Sequence, residues 1–143
     1  MVLLKTKYIQ IEYHNDVPCI YNRLLSAMSG KAFRVACEQV LELYRQLKKH
    51  HLELYGLMDV GSVATLSPED QVWLLNEWQP RMYRAGLRNL ALVVPGISEG
   101  KKSGDQLLDS ASQEVHVFET TEQAKAWLLS VKNQKSKRHL FMK

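Results

Sequence analysis

The sequence predicts an α/β fold: a mixed five-stranded sheet that starts with a β-hairpin and has helices packed on it. Three observations support this prediction. Residues 7–13 and 17–25 have the patterns of two strands separated by turn-forming residues. Amphipathic helical segments then alternate with short strands, which is typical of a sheet with parallel crossovers. The length of 143 residues fits one domain, since roughly 100–200 residues usually form one.

The composition is that of a folded globular chain. Hydrophobic residues make up 45% and charged residues 24%, which excludes intrinsic disorder, a collagen-like repeat and a disulfide-built mini-protein. Cys19 and Cys37 fall in a strand-like and a helix-like run, so we interpret them as buried thiols in a reducing compartment. The apolar run before Lys5 is too short for a signal peptide, and no stretch approaches a transmembrane helix. We therefore predict a cytoplasmic protein.

The first half of the chain contains the hairpin and the clearest helix. The strand at residues 7–13 alternates apolar and polar side chains, and the strand at 17–25 is predicted to run antiparallel to it. A long helix is predicted from an N-cap at Ser29 to about Lys49. Its apolar stripe recurs at helical spacing and includes Phe33, Ala36, Val40, Leu43 and Leu47.

The second half continues the alternation. Strands are predicted over residues 52–60, 89–94 and 114–118, with a loop over 96–104 and a short helix over 105–111. Ser67 and Pro68 predict the start of a helix that Pro80 should kink or restart and that Gly86 should end. A capping box beginning at Thr120 predicts a closing helix that runs through Val131. The apolar side of the helix that follows Ser67 is predicted to contain Val72, Trp73, Leu75 and Trp78.

Three stretches carry a resemblance to a known family. They are residues 57–59, which end a strand in Asp; residues 73–88, which contain Trp-Leu-Leu-Asn-Glu-Trp-Gln-Pro-Arg and Ala-Gly-Leu-Arg; and residues 118–128. With the order of elements, they resemble the STAS-like fold of anti-sigma-factor antagonists. The similarity is greater to the SpoIIAA-like (STAS/SEC14-type) small bacterial proteins. It spans about residues 5–131 and implies a single STAS-like domain over residues 1–131.

The resemblance implies a non-enzymatic regulatory or protein-interaction domain. In some STAS-type proteins a Ser or Thr after the third strand is phosphorylated, and Ser62 is the best positional match. Gly61 stands where the Asp-x-Ser pattern of that family has its Ser. The hypothesis is a phosphorylation switch or anion-binding loop at a helix N-terminus; the alternative is a helix cap flanked by ordinary polar loop residues. The loop residues concerned are Asp59, Ser62, Thr65 and Ser67.

A second candidate site combines aromatic, Pro and Arg residues where the helix is broken. These residue types are enriched at protein contact surfaces. The alternative interpretation is a kink that packs on its own core. The predicted contact surface consists of Trp78, Pro80, Arg81 and Tyr83.

No pattern in the sequence indicates catalysis. The chain lacks a paired nucleophile and base, a phosphate-loop pattern and metal-binding spacing among its five histidines. We therefore predict no enzyme activity, no cofactor and no metal. The SEC14-type resemblance implies an alternative function, a carrier of small apolar ligands or lipids, which requires a cavity of roughly 300 Å³ or more.

The positive charge is concentrated at the end of the chain. The net charge is +4, and residues 132–143 contain five basic residues and no acidic one; subtracting these five leaves −1 for residues 1–131. We interpret residues 132–143 as a flexible basic tail. The nearly neutral domain is not expected to bind nucleic acid. The partners predicted are another protein or a second copy of the chain.

Overall fold

The computed structural model describes residues 1–28, 30–59, 67–94, 106–109 and 113–141. The strands are β1 (Val2–Lys5), β2 (Ile9–His14), β3 (Cys19–Leu24), β4 (Tyr55–Asp59), β5 (Asn89–Val93), β6 (Gln106–Asp109) and β7 (Glu114–Phe118). The helices are α1 (Gly30–Lys48), α2 (Pro68–Trp73), α3 (Gln79–Ala85) and α4 (Thr121–Phe141), and a π-helical turn (Leu74–Trp78) joins α2 to α3.

The strands form one mixed sheet in the order β1-β2-β3-β4-β5-β7-β6. β2 is antiparallel to its neighbours β1 and β3. Strands β3, β4, β5 and β7 are parallel, and β6 is antiparallel to β7. The predicted hairpin, α/β class and mixed sheet are confirmed. The predicted count of five strands is wrong, because the described residues form seven.

The two additional strands lie at the two edges of the sheet. β1 pairs with β2; its run of consecutive apolar residues lacks the alternation that marks a half-buried strand. β6 pairs with β7 inside residues 105–111, where the sequence predicted a helix. That prediction is wrong, because the open edge of β7 supplies hydrogen-bond partners that a local pattern does not reveal.

Helices cover both faces of the sheet. The core on one face lies beneath α1 and α3, and its fifteen buried side chains are each at most 4% exposed. The core on the other face lies beneath α4, where Ala124 and Leu128 are fully buried. The central strand β5 contributes Leu90 to the first core and Ala91 to the second. Its continuous apolar sequence follows from this two-sided burial.

The helical segment after Ser67 breaks where the sequence predicted a change. The backbone N–H of Gln79 donates to the carbonyl of Leu74, five residues earlier, and Pro80 then lies in the first turn of α3. The π-helical turn accommodates Pro80, which has no N–H to donate to a carbonyl of the preceding turn. Gly86 ends α3 with φ = 116°, as predicted.

The closing helix begins as predicted and ends later. The Thr120 hydroxyl accepts the N–H of Gln123 at 3.2 Å, and the Gln123 side-chain oxygen accepts the Thr120 N–H at 3.3 Å. This arrangement is the predicted capping box. The prediction that the helix ends at Val131 is wrong, since α4 continues to Phe141. The flexibility of segment 132–143 stays a prediction.

Candidate functional site

The predicted switch segment starts at the carboxyl end of β4. The hydroxyl of Tyr21, on neighbouring β3, donates to Asp59 Oδ2 at 3.5 Å and lies 3.3 Å from the Thr121 hydroxyl at the start of α4. Asp59 therefore belongs to a polar contact that joins β3, β4 and α4. Ser62 and Thr65 lie outside the described residues, so their predicted role stays a prediction.

Ser67 caps α2, as the alternative interpretation expected. Its hydroxyl oxygen accepts the backbone N–H of Asp70 at 3.1 Å. The buried carboxylate of Asp70 in turn accepts the backbone N–H of Gly30 at 3.1 Å. The first turns of α1 and α2 are thereby joined, and this contact sets the position of one helix against the other.

The residues of the predicted contact surface have separate roles. Trp78 is 1% exposed, and its indole N–H donates to the Cys37 carbonyl at 2.9 Å. The prediction that Trp78 belongs to a contact surface is therefore wrong, because its ring fills the core between α1 and α3. Arg81 forms a bidentate ion pair with Glu38, and the ring of Tyr83 lies under the Arg88 guanidinium, 3.9 Å from its centroid. Pro80 is half-buried.

A different surface exposes apolar side chains on α1 and α2. Val35 on α1 is 47% exposed and Val72 on α2 is 57% exposed. Beside them, Trp73 is half-buried, with the Arg34 guanidinium 5.3 Å from its ring centroid. We call these four residues the α1–α2 face. Arg34 lines two shallow, open grooves: the larger runs along α1, and the smaller lies between α1 and the helical segment that starts at Pro68.

Charged residues of both signs surround the α1–α2 face. Lys31, Glu38 and Glu42 line the larger groove, and Glu69 and Glu77 line the smaller one. Glu38 is held by Arg81, whose hydrogen bond lowers the pKa of the carboxyl group below its usual value. An apolar centre with a charged rim is the usual arrangement of a non-obligate protein interface.

The pattern of residues along the sequence does not reveal the α1–α2 face. Val72 was predicted to point into the core, but the π-helical turn changes the angular register between α2 and Trp78 and leaves Val72 in solvent. Val35 gave the usable signal, since it is an aliphatic residue outside the apolar stripe of α1.

The remaining chemical groups have structural roles. Cys19 and Cys37 are unbridged and lie in the two different cores, and burial raises the pKa of each thiol to about 12. His116 stacks on Trp127 with 4.3 Å between ring centroids, and it lies 3.5 Å from the Glu114 carboxylate.

In the described part of the chain, no group of three His, Cys, Asp or Glu side chains is placed to hold a metal ion. Over the same residues, no helix combines the length and apolarity needed to cross a membrane.

Comparisons with protein-family models, curated proteins and solved structures find no match to this chain.

Proposed function

We propose that this chain is a non-enzymatic, STAS-like interaction domain that binds a partner protein through the α1–α2 face. The observation that carries the proposal is the exposure of Val35 and Val72 on adjacent helices. Burying the exposed half of one such aliphatic side chain in an interface contributes roughly 1 kcal/mol. The partner expected is a protein segment that presents an apolar ridge, as an amphipathic helix does, with polar residues beside it.

The rigidity of the surface supports the proposal. Trp73 packs edge-on against the core residue Phe33, with 6.0 Å between ring centroids, and Arg34 covers its other side. The Asp70 contact joins α2 to α1. A preorganised surface loses little conformational entropy when a partner binds.

The proposed switch is adjacent to this surface in the sequence. Residues 60–66 lead into Ser67 and α2, the helix that carries Val72. Phosphorylation of Ser62 would add negative charge five residues before Ser67, the residue that caps the helix carrying Val72. Intact mass after co-expression with candidate kinases tests this part, with Ser62→Ala as control; no added phosphate under any condition would contradict it.

The carrier alternative receives less support. A carrier requires an apolar cavity between the sheet and the helices. In the part of the chain that the structure describes, the fifteen side chains of the first core occupy the space beneath α1 and α3 and are almost fully buried. This packing favours a binding surface outside the helices over a ligand cavity inside the fold.

Selective loss of binding tests the proposal. Full-length protein, a Val35→Asp/Val72→Asp double variant and a Leu129→Asp control are compared as baits in cell extract. Leu129 is 42% exposed and lies on α4, on the other side of the sheet. Leu129→Asp therefore also replaces an exposed aliphatic side chain with a carboxylate, but outside the α1–α2 face.

We expect at least one protein from the extract to be retained by the wild-type bait and by the Leu129→Asp bait. The double variant should fail to retain that protein. For the purified pair, the dissociation constant should rise at least about tenfold in the double variant. If the double variant retains every protein that the control retains, the α1–α2 face is not the binding surface.

A further inference from the structure

A small basic pocket lies at the amino ends of the parallel strands, away from the α1–α2 face. Tyr55 and Asn89 line it at the starts of β4 and β5, Lys48 at the end of α1, Arg88 after α3, and Lys135 on α4. Its volume is about 180 Å³. We call it the basic pocket.

Positive charge dominates the lining of the basic pocket. Three cationic side chains line it, and Glu53 is the one carboxylate among its described lining residues. Lys135 is held by Glu53 at 3.0 Å and by the Asn89 side-chain oxygen at 3.4 Å. Because a single carboxylate faces three cations, an anion is the ligand that this field attracts.

The cations are fixed in place yet keep donors for a ligand. The ammonium of Lys48 donates to the carbonyls of His51 at 3.2 Å and Leu52 at 3.0 Å, which uses two of its three N–H groups. Arg88 Nη1 donates to the Tyr83 carbonyl at 2.7 Å and to the Leu87 carbonyl at 3.4 Å, the guanidinium stacks on the Tyr83 ring, and the N–H groups on Nη2 and Nε are not used by these two bonds. Both side chains are therefore held by uncharged acceptors that do not neutralise them.

Tyr55 provides a second, independent feature. Its hydroxyl is buried and lies close enough to Glu53 for that carboxylate to contribute to its raised pKa, but no contact to it among the described residues has full hydrogen-bond geometry. Burial raises the pKa of this hydroxyl, so it stays protonated and remains a donor at neutral pH. A buried hydroxyl without a partner is costly, and a bound acceptor would remove that cost.

We propose that the basic pocket binds a small dianionic oxyanion of the phosphate class, either inorganic phosphate or the phosphoryl group of a small monoester. The pocket is smaller than the roughly 300–1,000 Å³ of drug-sized ligand sites, so it excludes a nucleotide. It is several times the roughly 30 Å³ that one water molecule occupies, which leaves space for a tetrahedral anion. Charge-assisted hydrogen bonds from ammonium and guanidinium groups are the strong contacts that phosphate oxygens make.

The test is titration of the full chain with inorganic phosphate at constant ionic strength, followed by backbone amide NMR. We expect saturable shifts that are largest at Gly86, Arg88 and Asn89. Glycerol 3-phosphate forms a second arm: tighter binding than inorganic phosphate identifies the phosphoryl group of a monoester as the ligand, and exclusion identifies the free ion. Acetate at the same ionic strength should bind at least about tenfold more weakly, because it carries one charge instead of two.

Three variants separate a site from a general charge effect. Lys135→Gln should raise the dissociation constant for phosphate about tenfold, and Glu53→Gln should lower it about threefold by removing the carboxylate. Lys125→Gln makes the same charge change on the same helix beside Asp16, outside the basic pocket, and should leave binding unchanged.

Four results would overturn the proposal: no saturable shift, shifts located away from the pocket, equal binding of acetate, or equal weakening by Lys125→Gln and Lys135→Gln. If Lys135→Gln does not fold, Glu53→Gln still tests the proposal, because it should lower the dissociation constant for phosphate, and an unchanged or raised constant would contradict the basic pocket.

Discussion

The carboxylate of Asp70 accepts the backbone N–H of Gly30 at 3.1 Å and thereby joins the first turns of α2 and α1. Gly30 begins α1 with φ = 55°, a left-handed conformation that glycine adopts without steric cost. Val35 and Val72 lie shortly after these two residues along their helices. The Asp70–Gly30 contact therefore fixes the two halves of the α1–α2 face relative to each other.

Asp70→Ala should destabilise the fold by about 2 kcal/mol, because it leaves a part-buried N–H without its acceptor. Asp70→Asn keeps an acceptor oxygen and should cost less. Urea unfolding at neutral pH measures both. Glu69→Ala is the control, since Glu69 is an exposed acid in the same helical turn. Equal losses from Asp70→Ala and Glu69→Ala would show that the buried contact contributes nothing specific.

Trp78→Phe should destabilise the fold by roughly 2–3 kcal/mol, from lost volume in the core and a lost hydrogen bond to the Cys37 carbonyl. The matched change Trp73→Phe should cost less, because Trp73 is half-buried and has no such bond among the described contacts. Chemical denaturation of the two variants compares them directly. A larger loss from Trp73→Phe would contradict the placement of the two rings.

The Glu38–Arg81 pair predicts a contribution to stability that depends on pH. The hydrogen bond from Arg81 lowers the pKa of Glu38 in the folded state below its usual value near 4.5. The contribution is therefore fully present above that value and is lost as the pH falls through the lower pKa of the folded state. Because the pair is largely exposed, it is worth about 0.2–1 kcal/mol.

Free energies of unfolding measured from neutral to acidic pH test this contribution. Arg81→Gln should have a lower free energy of unfolding than wild type at neutral pH. In acid, the free energies of unfolding of the variant and of wild type should become equal. A constant difference at all pH values would assign the effect to packing instead of charge.

The two thiols should resist modification in the folded protein. Burial raises the pKa of Cys19 and Cys37 to about 12, so almost no thiolate is present near neutral pH, and the cores exclude reagent. A thiol reagent should label neither cysteine in buffer and both in denaturant. Rapid labelling in buffer would show that one of the cores opens readily.

Local signals predicted the parts of the fold that depend on neighbouring residues. The hairpin, the stripe of α1, the Ser67 cap and the capping box at Thr120 each follow from a few adjacent residues. The edge strands β1 and β6 did not follow, because their pairing partners are supplied by the sheet.

The site was less predictable than the fold for a related reason. Trp78 is buried, as its place on the predicted apolar side of the helix indicates, whereas Val72 is exposed because a π-helical turn, which adjacent residues do not reveal, changes the register of the helix. The basic pocket unites Lys48, Arg88 and Lys135 from distant parts of the chain, and only the parallel topology brings them together. Lys135, in the segment predicted to be a flexible tail, contacts Glu53 and Asn89, and the flexibility of that segment stays a prediction.

Hydrogen–deuterium exchange on the full chain, with and without a partner that the double variant fails to bind, tests the central claim most directly. The account predicts that amides in residues 30–42 and 68–78 gain protection in the complex, while those in residues 121–131 on the opposite side of the sheet stay unchanged. Protection confined to residues 121–131, with residues 30–42 and 68–78 unchanged, would contradict it.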